Sequence, residues 1–205
     1  MSLYDQFILP KIVNTMCSMS PLTKQRKKTV PLATGRVLEI GMGSGLNLPF
    51  YDSSRVEFVW GLEPCDKMRK MAKKRARQVP FDVVFIEQGC ENIPLEPDSA
   101  DTILITYTLC TIPDAVNAIK EARKILKSDG KLIFCEHGRA PDKNILAWQN
   151  RMNPIWKQLG GGCNLNRPIP ELIERGGFKI STLKSEYISN VKFVSYNYRG
   201  VAVKK

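Results

Sequence analysis

The segment that most constrains the fold is Val37-Leu38-Glu39-Ile40, followed by Gly41-Met42-Gly43-Ser44-Gly45. A short apolar run broken by one acid reads as a buried strand. Glycines at alternate positions read as a tight turn at its carboxyl end, where positive φ is needed and a ligand approaches the main chain. The spacing is GxGxG with Leu46 in the sixth place, whereas the dinucleotide fingerprint needs a small residue there. Glu39 argues the same way, because a carboxylate just before the glycines repels a pyrophosphate and attracts a cation. The turn therefore suits a ligand without phosphates lying over it. A purely structural glycine turn is the alternative.

A second acid supports the ligand reading. Val56 to Leu62 reads as the next strand, and Glu63 ends it, about two dozen residues after Glu39. In a doubly wound sheet an acid at that place accepts hydrogen bonds from ribose hydroxyls; a solvated strand-end carboxylate is the alternative. Leu46 to Tyr51 is expected to open a short helix whose free N–H groups meet a carboxylate, with Asn47 helping. Cys65 to Gln78 reads as a helix with Met68 on its first turn, either packing on a flat base or in the core. Further strands are expected at Phe81–Ile86, Asp101–Thr106 and Lys131–Cys135. A helix from Pro113 ends at Ser128-Asp129-Gly130, and Phe178–Glu186 and Phe193–Val203 read as a closing antiparallel pair.

Val37-Leu38-Glu39-Ile40-Gly41 with Gly43 and Gly45, Gly61-Leu62-Glu63-Pro64, Glu91-Asn92-Ile93-Pro94-Leu95 and Ala100-Asp101-Thr102-Ile103-Leu104-Ile105 resemble the successive motifs of class I S-adenosylmethionine-dependent methyltransferases. The resemblance covers residues 36 to 137. Leu109 to Pro113, Glu136-His137, Trp148-Gln149, Pro154 with Trp156, and Gly162 to Arg167 are similar to the subgroup of alkyl thiol S-methyltransferases and their bacterial relatives.

The resemblance implies an α/β fold, a seven-stranded mostly parallel sheet with helices on both faces in the order 3-2-1-4-5-7-6. It implies S-adenosyl-L-methionine as cofactor and S-adenosyl-L-homocysteine as product. The cofactor residues it implies are Glu39, Gly41, Gly43, Gly45, Asn47, Glu63, Pro64, Met68, Gly89, Cys90, Glu91 and Thr106. Many members carry an acid at the place of Gly89, so here the adenine amino group needs a backbone carbonyl or another side chain, and Glu91 anchors the loop. His137, Glu136 and Tyr107 are the candidate catalytic residues. His137 is the lone histidine, and an imidazole can accept a proton at neutral pH; a satisfied polar core residue is the alternative. Arg139 and Arg167 are candidate sources of positive potential for a thiolate. Trp148 and Trp156 either wall a substrate pocket or bury their helix on the sheet.

With 205 residues, 43% of them hydrophobic, one domain over 1–205 is expected. It divides into an N-terminal helical cap (1–30), a cofactor-binding core (31–137), and a helical insertion with closing strands (138–205). Leu3, Phe7, Ile8, Ile12, Val13 and Met16 recur at helical steps, so residues 1–22 read as an amphipathic helix kinked at Pro10, packed on the domain as a lid or lying on a membrane surface. The six cysteines are scattered without zinc spacing, so no metal site is expected and the thiols read as reduced. No spanning helix or secretion signal is evident, so the expected location is the cytoplasm, with peripheral membrane contact open. The net charge of +11 gathers at Lys24–Lys28 and Lys67–Arg77, read as solvated faces. No aromatics interleave with these bases, which argues against nucleic acid as partner. The expected acceptor is small or lipophilic, a thiol by the subgroup resemblance. A quinone-biosynthesis or phospholipid methyltransferase, a nucleic-acid methyltransferase and a non-catalytic cofactor-binding module are the other readings.

Overall fold

Val37 and Leu38 are both fully buried although they face opposite ways, which puts their strand in the middle of a sheet covered on both faces. The computed structural model describes residues 8–205. In it β1 (Gly35–Ile40) lies between β2 (Val56–Leu62) and β4 (Ala100–Thr106), parallel to both. β3 (Asp82–Ile86) extends the β2 side and β5 (Leu126–His137) the β4 side. β7 (Tyr196–Lys204) inserts antiparallel between β5 and β6 (Phe178–Tyr187). The order is β3-β2-β1-β4-β5-β7-β6, as the family resemblance implied.

The two faces carry separate cores. On one, Leu38, Ile40, Ile103, Ile105 and Phe134 pack against α4 (Ala115–Ile125) and α6 (Ile169–Arg175). The α4 stripe is Ala115, Ala118, Ile119, Ala122 and Ile125, small enough for close approach, and Asp114 caps it by accepting from Asn117 N at 2.9 Å. On the other face Val37, Val59, Leu104 and Ile133 meet Ala72 of α3 (Asp66–Ala76) and the turn at Val30. The switch of strand order between β1 and β4 opens a crevice at their carboxyl ends, where such sheets hold ligands.

Several boundaries differ from the sequence reading. The helix expected over 46–51 is a single 3₁₀ turn, Leu48–Phe50. α4 stops at Ile125, and the chain enters β5 at once because Leu126 and Gly130 are buried beside it. α5 (Lys143–Leu159) runs through Pro154, which lies on an exposed face of the helix.

The N-terminal segment forms two helices, α1 (Leu9–Cys17) and α2 (Ser20–Thr29), and Pro10 sits in the first turn of α1, where its missing N–H is harmless. The apolar stripe points outward: Ile8, Ile12 and Met16 are 51%, 40% and 42% exposed. Leu9, Pro10, Val13, Asn14 and Cys17 form the inward side instead. Leu3 and Phe7 lie outside the described residues.

α5 is pinned by one side chain. Gln149, 1% exposed, accepts from Ala140 N at 2.9 Å and donates toward the carbonyls of Gly138, Leu165 and Phe193 at 3.0–3.1 Å. Replacing it strands three segments' backbone groups. Gln149→Leu is expected to lower unfolding free energy by about 2–4 kcal/mol, while Trp148→Ser, at an exposed neighbour, changes it by roughly 0.5 kcal/mol or less. Urea unfolding of the two variants checks this.

Candidate active site

The glycine turn is held from below by a buried carboxylate. Glu39 is 1% exposed; its Oε1 accepts from Asn47 Nδ2 at 2.8 Å and its Oε2 from Tyr51 OH at 2.6 Å. Asn47 Nδ2 also donates to Thr106 Oγ1 at 2.8 Å, joining β1, the turn and β4. Because the amide nitrogen must face the carboxylate, Asn47 Oδ1 faces away. That oxygen is buried without a hydrogen-bond partner among the described residues, and Asn47 lines the crevice. Glu39 therefore acts beneath the wall rather than on it: burial pushes its carboxyl from 4.5 up to about 7, with Tyr51 and Asn47 pulling the other way.

Gly41 and Gly43 have φ of 67° and 58°, which L side chains rarely adopt. A Cβ on Gly41 would collide with Thr108. One on Gly43 would meet little, nearest Met68 Cε at 3.9 Å, so the surface above this residue is open. Gly45 does not face the crevice; it lets the turn pack on Ala72 of α3.

Glu63, 9% exposed, links the turn to the end of β2. Its Oε2 accepts from Gly43 N at 2.9 Å and its Oε1 from Cys65 N at 2.8 Å. Burial raises its pKa, opposed by those two N–H groups. Buried Arg69 ties the same strand end to the next loop, donating to the carbonyls of Glu63 and Pro64 and to Glu87 Oε2 at 3.0 Å. This corrects part of the solvated-face reading of the 67–77 run.

Together these elements enclose a cavity of about 320 Å³. Of the residues expected at a cofactor, Gly41, Gly43, Asn47, Glu63, Pro64, Met68, Gly89, Cys90, Glu91 and Thr106 line it. Burial pushes the Cys90 thiol up to about 11, so it stays protonated. Tyr107 also lines the cavity, in the left-handed region at φ 53°. Its hydroxyl donates to Asn197 Oδ1 at 2.9 Å, and burial holds it well above the usual phenol range. Tyr107 thus forms a fixed part of the cavity wall, its phenol held protonated.

The cap supplies residues that the sequence reading missed. Val13, Asn14 and Cys17 of α1 and Arg26 of α2 close the cavity. Ser44 Oγ donates to Asn14 Oδ1 at 2.6 Å, and Arg75 bonds both Asn14 and the Ser44 carbonyl, docking α1 on the turn. Arg26 belongs to the Lys24–Lys28 run read as solvated, yet it is 4% exposed. It donates to the Cys17 carbonyl at 2.6 Å and lies 4.8 Å from the Tyr107 ring centre, and its Nε has no partner among the described residues. The available signal was spacing: Gln25, Arg26, Thr29 and Val30 form one buried helical face.

Glu136 and His137, expected at the reacting groups, stand off the cavity wall. Glu136 is fully buried, and its Oε1 accepts from Thr108 N at 2.7 Å and Leu109 N at 3.1 Å, which fixes the loop after β4. His137 turns away, its Nε2 3.2 Å from Cys163 Sγ. The other expected cations are also occupied elsewhere. Arg167 bonds the carbonyls of Leu109 and Ile112, and Arg139 pairs with Glu171 at the surface. Trp148 is 57% exposed, so it walls nothing.

Residues 38–134 match the methyltransferase-domain family. A ubiquinone/menaquinone biosynthesis C-methyltransferase of Campylobacter jejuni is 30% identical over 182 residues, covering 85% of this chain and 72% of that one. The chain belongs to the S-adenosylmethionine-dependent methyltransferases. A thiol S-methyltransferase of Rattus norvegicus is 29% identical over 144 residues, 69% of this methyltransferase and 59% of the relative. The chain thus spans less than two-thirds of the thiol methyltransferases it matches. A solved S-adenosylmethionine-dependent methyltransferase of Thermotoga maritima superposes with a TM-score of 0.68 at 22% identity, over 99% of this chain and 100% of that one, and shares the fold.

The Glu39 network has a measurable pH signature. An acid whose pKa is raised on folding stabilises the fold fully below its unfolded value, here 4.5, and loses that contribution as pH rises through about 7. Glu39→Gln keeps an oxygen for Asn47 and an N–H for Tyr51 but does not titrate. Its melting temperature is expected to gain on the native chain's steadily from pH 5 to 7 and level off above, by scanning calorimetry; parallel curves would disprove the shift.

Proposed function

We propose that the chain transfers the methyl group of S-adenosylmethionine to a small, lipophilic thiol, in a domain comprising the 1–30 cap, the 31–137 core and the 138–205 insertion with closing strands. The observation that carries the cofactor reading is the unpartnered, buried Asn47 Oδ1 beside the glycine turn, on a residue that lines the same cavity as Glu63. An ammonium and a ribose need these two acceptors. Each Glu63 oxygen already accepts one backbone N–H, and each keeps a lone pair for a hydroxyl. Pro64, Met68 and the Gly89–Glu91 loop would flank the base, where no acid stands at Gly89.

When bound, S-adenosylmethionine supplies a sulfonium methyl already activated for displacement. The protein's task is then to hold the acceptor in place, exclude water and favour its nucleophilic form. A free thiol with pKa near 8.5 is only a few per cent thiolate at neutral pH. Buried Arg26, which lines the cap side of the cavity, would raise that fraction. Cys17, Val13 and Tyr107 would supply the apolar wall. The exposed Ile8, Ile12 and Met16 face of α1 would give a lipophilic acceptor, or a membrane surface carrying it, an apolar approach. No helix among the described residues is long and apolar enough to cross a membrane.

Support for a thiol comes from the name of the rat relative and from Arg26. The Campylobacter relative supports a quinone precursor as second reading. Purified protein offered alkyl thiols, amines, phenols and a quinol is expected to turn over thiols; turnover of the quinol alone, with the methyl on ring carbon, would transfer the assignment to the second reading. Glu63→Ala is expected to weaken S-adenosylhomocysteine binding by about 2–4 kcal/mol in titration calorimetry, and native affinity would remove Glu63 from the site. Arg26→Gln should move the half-maximal pH of thiol turnover upward while leaving product affinity within about twofold. An unmoved pH profile would show that Arg26 only packs.

A further inference from the structure

Three side chains that the sequence holds far apart converge behind the cavity wall. Cys110 follows β4, His137 ends β5, and Cys163 follows α5. Cys110 Sγ, His137 Nε2 and Cys163 Sγ all lie within 4.8 Å of one another, and the imidazole nitrogen is 3.2 Å from Cys163 Sγ. Around a tetrahedral zinc ion with bonds of about 2.0 to 2.3 Å, neighbouring ligand atoms sit roughly 3.5–3.8 Å apart. The trio needs only small side-chain shifts to reach that arrangement.

From this convergence we infer that Cys110, His137 and Cys163 form a binding site for a soft divalent cation, zinc in the first instance. Two sulfurs and one imidazole nitrogen are a ligand set that selects such ions over magnesium or calcium. Three protein ligands leave a fourth position for water or an added thiol, as in centres that exchange a ligand rather than closed structural ones. The surroundings hold the ligands in place. Asn164 N and Nδ2 both donate to the Cys110 carbonyl, at 2.8 and 2.9 Å. Asn153 of α5 in turn bonds Asn164 Oδ1 at 3.3 Å and accepts from Leu165 N at 2.8 Å. These bonds fix the main chain on which Cys110 and Cys163 stand. The site adjoins the cavity through Thr111, which lines it and whose Oγ1 is 3.4 Å from Cys110 Sγ.

The site does not depend on the methyl-transfer reading, and its test needs no turnover. The full chain, reduced and stripped of metal, is titrated with Co²⁺ and then Zn²⁺. The expected result is one equivalent of Co²⁺ with sulfur-to-metal charge-transfer absorption and the intense visible bands of a tetrahedral ion, bleached by one equivalent of Zn²⁺. Cys163→Ser, on a half-buried loop, should weaken affinity by about a hundredfold, and His137→Gln at least tenfold. Cys65→Ser should behave as native. Zn²⁺ should raise the melting temperature of the native chain but not of Cys163→Ser, which separates a lost ligand from a lost fold. A weak, hydrated-type cobalt spectrum, native affinity in Cys163→Ser, or a Cys110–Cys163 disulfide forming with no metal uptake would overturn the assignment.

Discussion

A single buried carboxylate organises the ligand-binding edge of this protein. Glu39 has no water to solvate it, so its two oxygens take their donors from Asn47 and Tyr51, and Asn47 reaches across to Thr106. The glycine turn is thereby fixed between β1 and β4 before any ligand arrives. Glu63 repeats the device one strand away, holding Gly43 and Cys65 by their N–H groups. Both acids cost desolvation, visible as raised pKa values. Both orient groups that would otherwise sample many conformations.

The cap completes what the sheet begins. Its inward side carries few large apolar residues: Leu9, Val13, Asn14 and Cys17 from α1, then Gln25 and Arg26 from α2. A helix docked through polar contacts to the turn and to Arg75 holds less tightly than one docked through leucines. It leaves its own apolar face, Ile8, Ile12 and Met16, outside. A buried guanidinium whose Nε has no partner among the described residues is expensive to keep.

The last third of the chain works through buried amides. Gln149 ties α5 to the end of β5, to the 164–167 loop and to the segment before β7. Asn153 and Asn164 carry the link to Cys110. These bonds bring a loop cysteine beside one histidine and a second cysteine, an arrangement that no local spacing announces.

Legible in the residues alone were the sheet, its strand order through the family resemblance, and the glycine turn with Glu39 and Glu63 at successive strand ends. These features are local: a buried parallel strand must be apolar on both sides, and a turn at positive φ must be glycine. Most of the expected cofactor residues face one cavity for the same reason, since strand ends at the switch point share a crevice. Which way side chains turn once there depends on long-range packing. Arg26 looked like one more solvated base, and the outward stripe of α1 looked like its buried face, because hydrophobic periodicity marks a face without naming its neighbour. His137 sits at the expected strand end but turns toward Cys163, since a rotamer is chosen by packing against segments tens of residues away.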